Sequence, residues 1–422
     1  MDETTDKSNA LTEERTYLEA VFLDGEVHVS KGDESLIGGA SRVLIHLESN
    51  AIDLSLEQEG GALVSFLADW KLLKDLHFLR DWDDDACDLP VATLAELFRR
   101  GSAANLSILS CGQNVLTAGT AEEFISLVKT IQQCTPCLKV LELPTIRIRD
   151  STQLTADTRG FLDPLLPLLV EGSELCRLGY RPHFVTERGI EAVFASSRLK
   201  ELHLCAHAWP KEIAAAAMRC LAENRTVTTF DIVCSEISAE TSAAICQALE
   251  RNETLQTFEL WSWESVERDK TIQILKSLTV SRLKSFTFKC HGCLPLCSGL
   301  LSIVEQVLEK NVHLEKFDVW CSDCLPREAE EVFDFWLALN ARTQRASLLE
   351  NPLNHEKWVK ALIQSKCDVA SSFYLLSENP VLIAQLMHRP CKTVQPVIAK
   401  RKRLYRRAQH CEMKRFKCSA AG

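Results

Sequence analysis

Long apolar runs are missing from this 422-residue chain. No stretch approaches the roughly eighteen continuous apolar residues that a membrane-spanning helix needs, so a span is not expected. Glycine (16) and proline (13) are scarce, which excludes collagen-like and proline-rich architectures. The first sixteen residues are polar and acidic and hold no apolar core of signal-peptide length. The eighteen cysteines are therefore expected as free thiols in a reducing compartment, cytoplasmic or nuclear. On that expectation the glycosylation triplets at Asn105, Asn224 and Asn252 are idle. Catalytic signatures are lacking as well. There is no Walker loop, no G-x-G-x-x-G after a strand, no H-E-x-x-H and no G-x-S-x-G. The expectation is a non-enzyme with no cofactor and no dedicated metal.

What is present is ordinary in amount and unusual in arrangement. Hydrophobic residues make up 46% and charged residues 25%, as in globular proteins. The length exceeds a usual single core, which favours a repeat array or several domains. The net charge of −10 hides a split. Residues 390–422 carry ten Lys/Arg and one acid, leaving 38 Lys/Arg against 57 Asp/Glu in the rest. Such asymmetry marks an interaction tail.

The chain repeats itself. The hexads LKELHL at Leu199, VTTFDI at Val227, LQTFEL at Leu255, LKSFTF at Leu283 and LEKFDV at Leu314 start 28, 28, 28 and 31 residues apart. Each is apolar at its first, fourth and sixth positions. Copies precede them at Leu138 (LKVLEL) and Leu175 (LCRLGY), and weaker ones at Ala103 (AANLSI) and Leu73 (LKDLHF). TQRASL at Thr343 follows, giving ten units, with a degenerate eleventh, AIDLSL, at Ala51. The uneven steps before Leu199 indicate insertions in the N-terminal half. Asparagine stands three residues before the hexad at Asn224, Asn252, Asn311 and Asn340, where its tolerance of left-handed backbone suits a helix end. Between hexads, Ile213, Ala216, Ala217, Cys220 and Leu221 form one helical stripe, as do Leu300, Ile303, Val304, Val307 and Leu308. Each unit is thus a strand, a turn and a helix that must stack on its neighbours to bury its apolar face.

This pattern resembles the leucine-rich repeat family, in its ribonuclease-inhibitor-like form, over roughly residues 50–350. The family's polar or cysteine residue three places after the strand is matched by Cys111, but His207, Ser235, Trp263 and His291 stand there elsewhere. The resemblance implies an α/β solenoid, a curved horseshoe with parallel strands on the concave face, helices on the convex face and caps at both ends. The expected divisions are an acidic terminus 1–16, an N-terminal cap 17–70, repeats over 71–350, a helical cap 351–390 with helices around Trp358–Cys367 and Val381–His388, and a basic tail 391–422.

Alternation of strand side chains places the third, fifth and seventh hexad positions on the concave side. The fifth runs His77, Ser107, Glu142, Gly179, His203, Asp231, Glu259, Thr287, Asp318, Ser347, with four acids and no Lys or Arg. The seventh includes Trp261 and Trp320, with Lys289 between them and Trp263 nearby. The tryptophans either anchor a partner or pack against neighbouring strands, and the acids either attract a partner or are simply solvated. The candidate contact residues are Glu142, Asp231, Glu259, Trp261, Asp318 and Trp320, for a protein partner with a basic, partly apolar surface. Bare nucleic acid is disfavoured there by like charge.

Three C-x-x-C spacings occur, at Cys134/Cys137, Cys290/Cys293 (followed by Cys297) and Cys321/Cys324. The 28 residues from Cys293 to Cys321 are the repeat length and not a zinc-knuckle spacing. Cys234, Cys290 and Cys321 hold equivalent places and predict a row of thiols, read first as small apolar fillers, with a redox switch, an adventitious metal or a zinc site of Cys290, Cys293, Cys321 and Cys324 as the alternatives. In the tail, Lys400, Arg401, Lys402, Arg403, Arg406 and Arg407 make a basic run with three readings: nuclear import signal, anionic-surface contact or solvated tail. The expected function is an interaction scaffold. The alternative is a regulator of an enzyme, such as a small-GTPase activator, although that class's acidic tail is replaced here by a basic one, or a substrate-recognition subunit of a ubiquitin ligase.

Overall fold

The computed structural model describes residues 17–23, 26–31, 42–47, 67, 73–79, 88–100, 103–111, 115–143, 145–148, 163, 166–167, 174–180, 185–205, 211–290, 298–320, 327–343, 345–351, 354–364, 369–379 and 383. The chain divides into two units, Met1–Leu337 and Ala338–Gly422.

The first unit is built on a mixed α/β plan. Its strands are β1 (Tyr17–Leu23), β2 (Glu26–Lys31), β3 (Arg42–Leu47), β4 (Asp75–Leu79), β5 (Asp88–Pro90), β6 (Ile108–Ser110), β7 (Val115–Ala118), β8 (Val140–Glu142), β9 (Thr145–Ile148), β10 (Arg177–Tyr180), β11 (Glu201–Cys205), β12 (Thr229–Cys234), β13 (Thr257–Ser262), β14 (Ser285–Cys290) and β15 (Lys316–Trp320). The helices between them are α1 (Val91–Arg99), α2 (Ala121–Cys134), α3 (Glu187–Phe194), α4 (Lys211–Glu223), α5 (Ala239–Arg251), α6 (Arg268–Ser277) and α7 (Ser298–Lys310). Twelve strands form one sheet in the order β15-β14-β13-β12-β11-β10-β8-β6-β4-β3-β1-β2, parallel throughout except for the β1–β2 pair.

Hydrophobic alternation explains the sheet. In β12 the residues Phe230, Ile232 and Cys234 are buried while Thr229, Asp231 and Val233 are partly exposed. First-position leucines and Val227 are buried in every unit from Leu73 to Leu314. At the fourth position Phe230, Phe258, Phe286 and Phe317 stack with ring centroids 5.9–6.0 Å apart, continuing a contact from Phe194. Such a row binds each unit to the next by apolar burial plus ring contact. At β15 Phe317 meets Phe333 edge-on (6.1 Å between ring centroids), and Phe317 and Val319 are only half-buried, whereas Phe286 and Phe288 on β14 are fully covered.

The asparagine marker has a physical basis different from the one expected. Asn252 has φ −79° and ψ 119°, so it is extended and not left-handed. Its side chain works as a brace. The Asn252 carboxamide oxygen accepts from the amides of Thr254 (2.8 Å) and Leu255 (2.7 Å), while its nitrogen donates to the carbonyls of Leu221 (2.5 Å) and Asn224 (3.0 Å) in the preceding unit. Asn311 does the same toward Leu278 and Ser281, and Asn224 toward Phe194. A buried amide with all its groups satisfied ties one turn to the next. Asn224 and Asn252, which head two of the three glycosylation triplets, are both buried.

Two expectations change. The weak hexad at Ala103 is displaced by three residues, since Leu76 of β4 registers with Leu109, not Leu106. The unit is LSILSC from Leu106, so Cys111 is a buried sixth-position residue and the fifth position is Ser110. TQRASL at Thr343 is helical, not a strand. Its fourth position is Ala346, too small to extend the phenylalanine row, and Asn340 lies inside α8 (Arg327–Thr343). AIDLSL at Ala51 lies outside the described residues, and the strand next to β4 is β3. The segment 17–70 supplies three strands of the main sheet.

The insertions in the N-terminal half have a structural counterpart. The units that start at Leu73, Leu106 and Leu138 run 33, 32 and 37 residues, longer than the later step of 28, and they carry the extra short strands β5, β7 and β9, which form a second parallel sheet.

In the second unit, α9 (Arg345–Glu350), α10 (His355–Gln364) and α11 (Val369–Glu378) follow α8, which runs across the division. Among its described residues, Leu339, Leu348, Trp358, Ala361 and Leu375 are buried and apolar. Arg345, itself buried, donates from Nε to both oxygens of Glu378 (2.8 and 3.1 Å) and from a terminal nitrogen to Oε1. The helix expected around Trp358–Cys367 is α10. The one at Val381–His388 falls outside the described residues apart from Ile383, and α11 was not anticipated. No helix among the described residues is long and apolar enough to cross a membrane.

Candidate functional site

Parallel register turns the repeat into rows of side chains that cross the sheet. The fifth-position row is His77, Ser110, Glu142, Gly179, His203, Asp231, Glu259, Thr287 and Asp318, each opposite the next. Neighbouring strands lie about 4.8 Å apart, so consecutive members of a row touch.

From β6 to β12 the row is knit into a chain of polar contacts. Ser110 Oγ donates to Glu142 (2.6 Å). The Arg177 guanidinium, from the third hexad position at the start of β10, pairs with Glu142 (2.9 Å) and reaches Glu201 (3.5 Å). Glu201 lies 4.0 Å from His203 Nε2, and His203 Nδ1 bonds Asp231. Gly179 provides the room for this crossing, since a Cβ there would sit 3.3 Å from Glu142 Cγ.

From β13 to β15 the same face is open. Glu259 and Asp318 are half-exposed and make no ion pair with any described residue. Trp261 is 36% exposed and Trp263 42%. Lys289 Nζ stands 4.0 Å from the centre of the Trp261 ring, in a cation–π contact. Thr287, between the two acids in register, is buried. Trp320 occupies the row of Trp261 and Lys289, and its side chain lies outside the described residues. Across β8–β15 this face carries Glu142, Glu201, Asp231, Glu259 and Asp318 against Arg177, Lys289 and Lys316, an excess of two acids.

Of the six expected contact residues, Glu142 and Asp231 are thus engaged within the chain, while Glu259, Asp318 and Trp261 face outward. Arg177, Glu201 and His203 were not singled out. Comparing third with fifth positions on adjacent units finds them, because both point to one side of the sheet.

At the other end, His77 is half-buried, and its Nε2 has no hydrogen-bond partner among the described residues. Its pKa is held below the usual imidazole value, first by burial and then by the nearby Arg42. His77, Ser110 and Glu142 are consecutive in register, but the Ser110 hydroxyl bonds the carboxylate, so no imidazole bridges nucleophile and acid as a hydrolytic triad requires.

Three of the thiols are unsuited to nucleophilic work. Burial pushes Cys111 and Cys234 up to about 12 and Cys220 to about 11, which keeps them protonated at neutral pH. Cys234 and Cys290 share a register row with Ser262 between them. Cys293, Cys297, Cys321 and Cys324 lie outside the described residues, as do Lys400, Arg401, Lys402, Arg403, Arg406 and Arg407. Among the described residues no group of three or more His, Cys, Asp or Glu is placed to hold a metal.

No family profile and no curated protein matches the sequence. Among solved structures, the chain is similar to a tropomodulin C-terminal domain from Caenorhabditis elegans at 14% identity and TM-score 0.27, covering 34% of this chain and 84% of that one. It is also similar to actin-binding site 2 of leiomodin-1, at 14% identity and TM-score 0.23, covering 53% and 93%. Both scores are low, and neither bears on what this chain binds.

Proposed function

We propose that the protein is a non-enzymatic interaction scaffold that takes a protein partner on the polar face of its main sheet, at the β13–β15 end. The observation that supports this most is Trp261. A large aromatic ring stands half-open to solvent on the same face as Glu259. Exposed tryptophan is the side chain that interfaces most often use as an anchor. Asp318 and Trp320 belong to the same patch by register. The acidic excess favours a basic surface on the partner and repels a phosphate backbone.

The test is affinity capture from cell extract with wild-type protein and with Trp261→Ala, each checked by thermal unfolding. A partner retained by the wild type and lost from a variant of unchanged Tm is expected. Equal retention by both proteins would contradict the reading.

A further inference from the structure

We infer that the partner presents an arginine side chain, and that it stacks on the Trp261 ring in the place Lys289 now fills, with Glu259 accepting from its guanidinium. This rests on the interaction reading above and specifies its chemistry.

The argument begins with Lys289. Its ammonium lies over the face of Trp261, so that face already holds a cation in this structure. A tryptophan face attracts cations through its quadrupole, and at an exposed site the attraction is weak enough to exchange. Trp261 and Glu259 are two residues apart on β13 and project from the same face, about 7 Å apart along the strand. Glu259 has no ion-pair partner among the described residues, and Asp231 stands next to it in register. A planar guanidinium both stacks on an aromatic ring and forks onto a carboxylate, whereas a lysine ammonium is a compact point charge that does one or the other. Lys289 therefore acts as an internal competitor, occupying the ring until a better-matched cation arrives.

This arrangement makes a prediction of unusual sign. Removing a surface lysine should tighten the binding of a cationic ligand. The probe is a fluorescein-labelled peptide with one arginine in a Ser/Gly context, beside the same peptide with lysine, titrated against the full chain by fluorescence anisotropy. Lys289→Met should raise the arginine peptide's affinity several-fold. Trp261→Ala should lower it about tenfold, and Trp261→Phe, which keeps a weaker aromatic face, should fall between. The lysine peptide should bind several-fold more weakly than the arginine peptide. Weaker or unchanged binding in Lys289→Met would overturn the proposal. Equal binding of both peptides, insensitive to Trp261, would also overturn it while leaving a basic partner in place. Failure of the wild type to bind either peptide would overturn it too. Partner capture that is nevertheless lost with Trp261→Ala would then show that the broader reading survives.

Discussion

Two stretches of one sheet face carry the same residue types and use them differently. Between β6 and β12, Glu142, Glu201 and Asp231 are held by Ser110, Arg177 and His203 from neighbouring strands. Between β13 and β15, Glu259 and Asp318 stand at equivalent hexad positions with no cation paired to them among the described residues, and the nearby Lys289 covers an aromatic ring instead. An acid in a repeat row is therefore not a binding residue by position alone. Its neighbours one strand away decide whether its charge is already spent.

The largest expected effect sets a scale for the whole ladder. Asn252→Ala removes acceptors from two amides and donors from two carbonyls in a buried turn, and should cost about 3 kcal/mol by denaturant unfolding. A loss within the error of the measurement would mean the asparagine brace is not what couples the units. Next, Arg177→Ala should cost about 1 kcal/mol, a figure kept small because the ion pairs it breaks are partly exposed and screened. Glu259→Gln should stay within about 0.5 kcal/mol of wild type, as an unpaired surface acid does. Equal costs for Arg177→Ala and Glu259→Gln would erase the distinction between the two stretches.

The smallest effect concerns pH. His77 has its folded pKa lowered, so the unfolded chain takes up a proton first as pH falls. Its contribution is full above the unfolded value of about 6.5 and is lost as pH drops through the lowered folded value. His77→Gln should flatten the decline in stability on the acid side of neutrality. An unchanged slope would remove His77 from the account.

Much of the ladder was legible because Leu199 through Leu314 repeat at nearly constant steps with large apolar residues at fixed positions. The failures arose where the pattern is degenerate. Around Ala103 two overlapping hexads satisfy the apolar rule, one from Ala103 and one from Leu106. The second wins because a leucine fills the first position better than an alanine, and a buried cysteine serves as the sixth. At Thr343 the asparagine three residues earlier was a false guide. The brace depends on a buried turn at a helix end, and Asn340 sits within a helix. The polar face was half-legible. Single rows show the acids, but pairing needs two rows at once, and Arg177 reaches Glu142 diagonally, across Gly179.

The most direct measurement sets Glu142→Gln beside Glu259→Gln, reading thermal stability and affinity for the arginine peptide in both proteins. The account predicts a lowered Tm with affinity within about twofold for Glu142→Gln, and an unchanged Tm with severalfold weaker binding for Glu259→Gln. The opposite pattern, with binding lost at Glu142 and stability lost at Glu259, would contradict it.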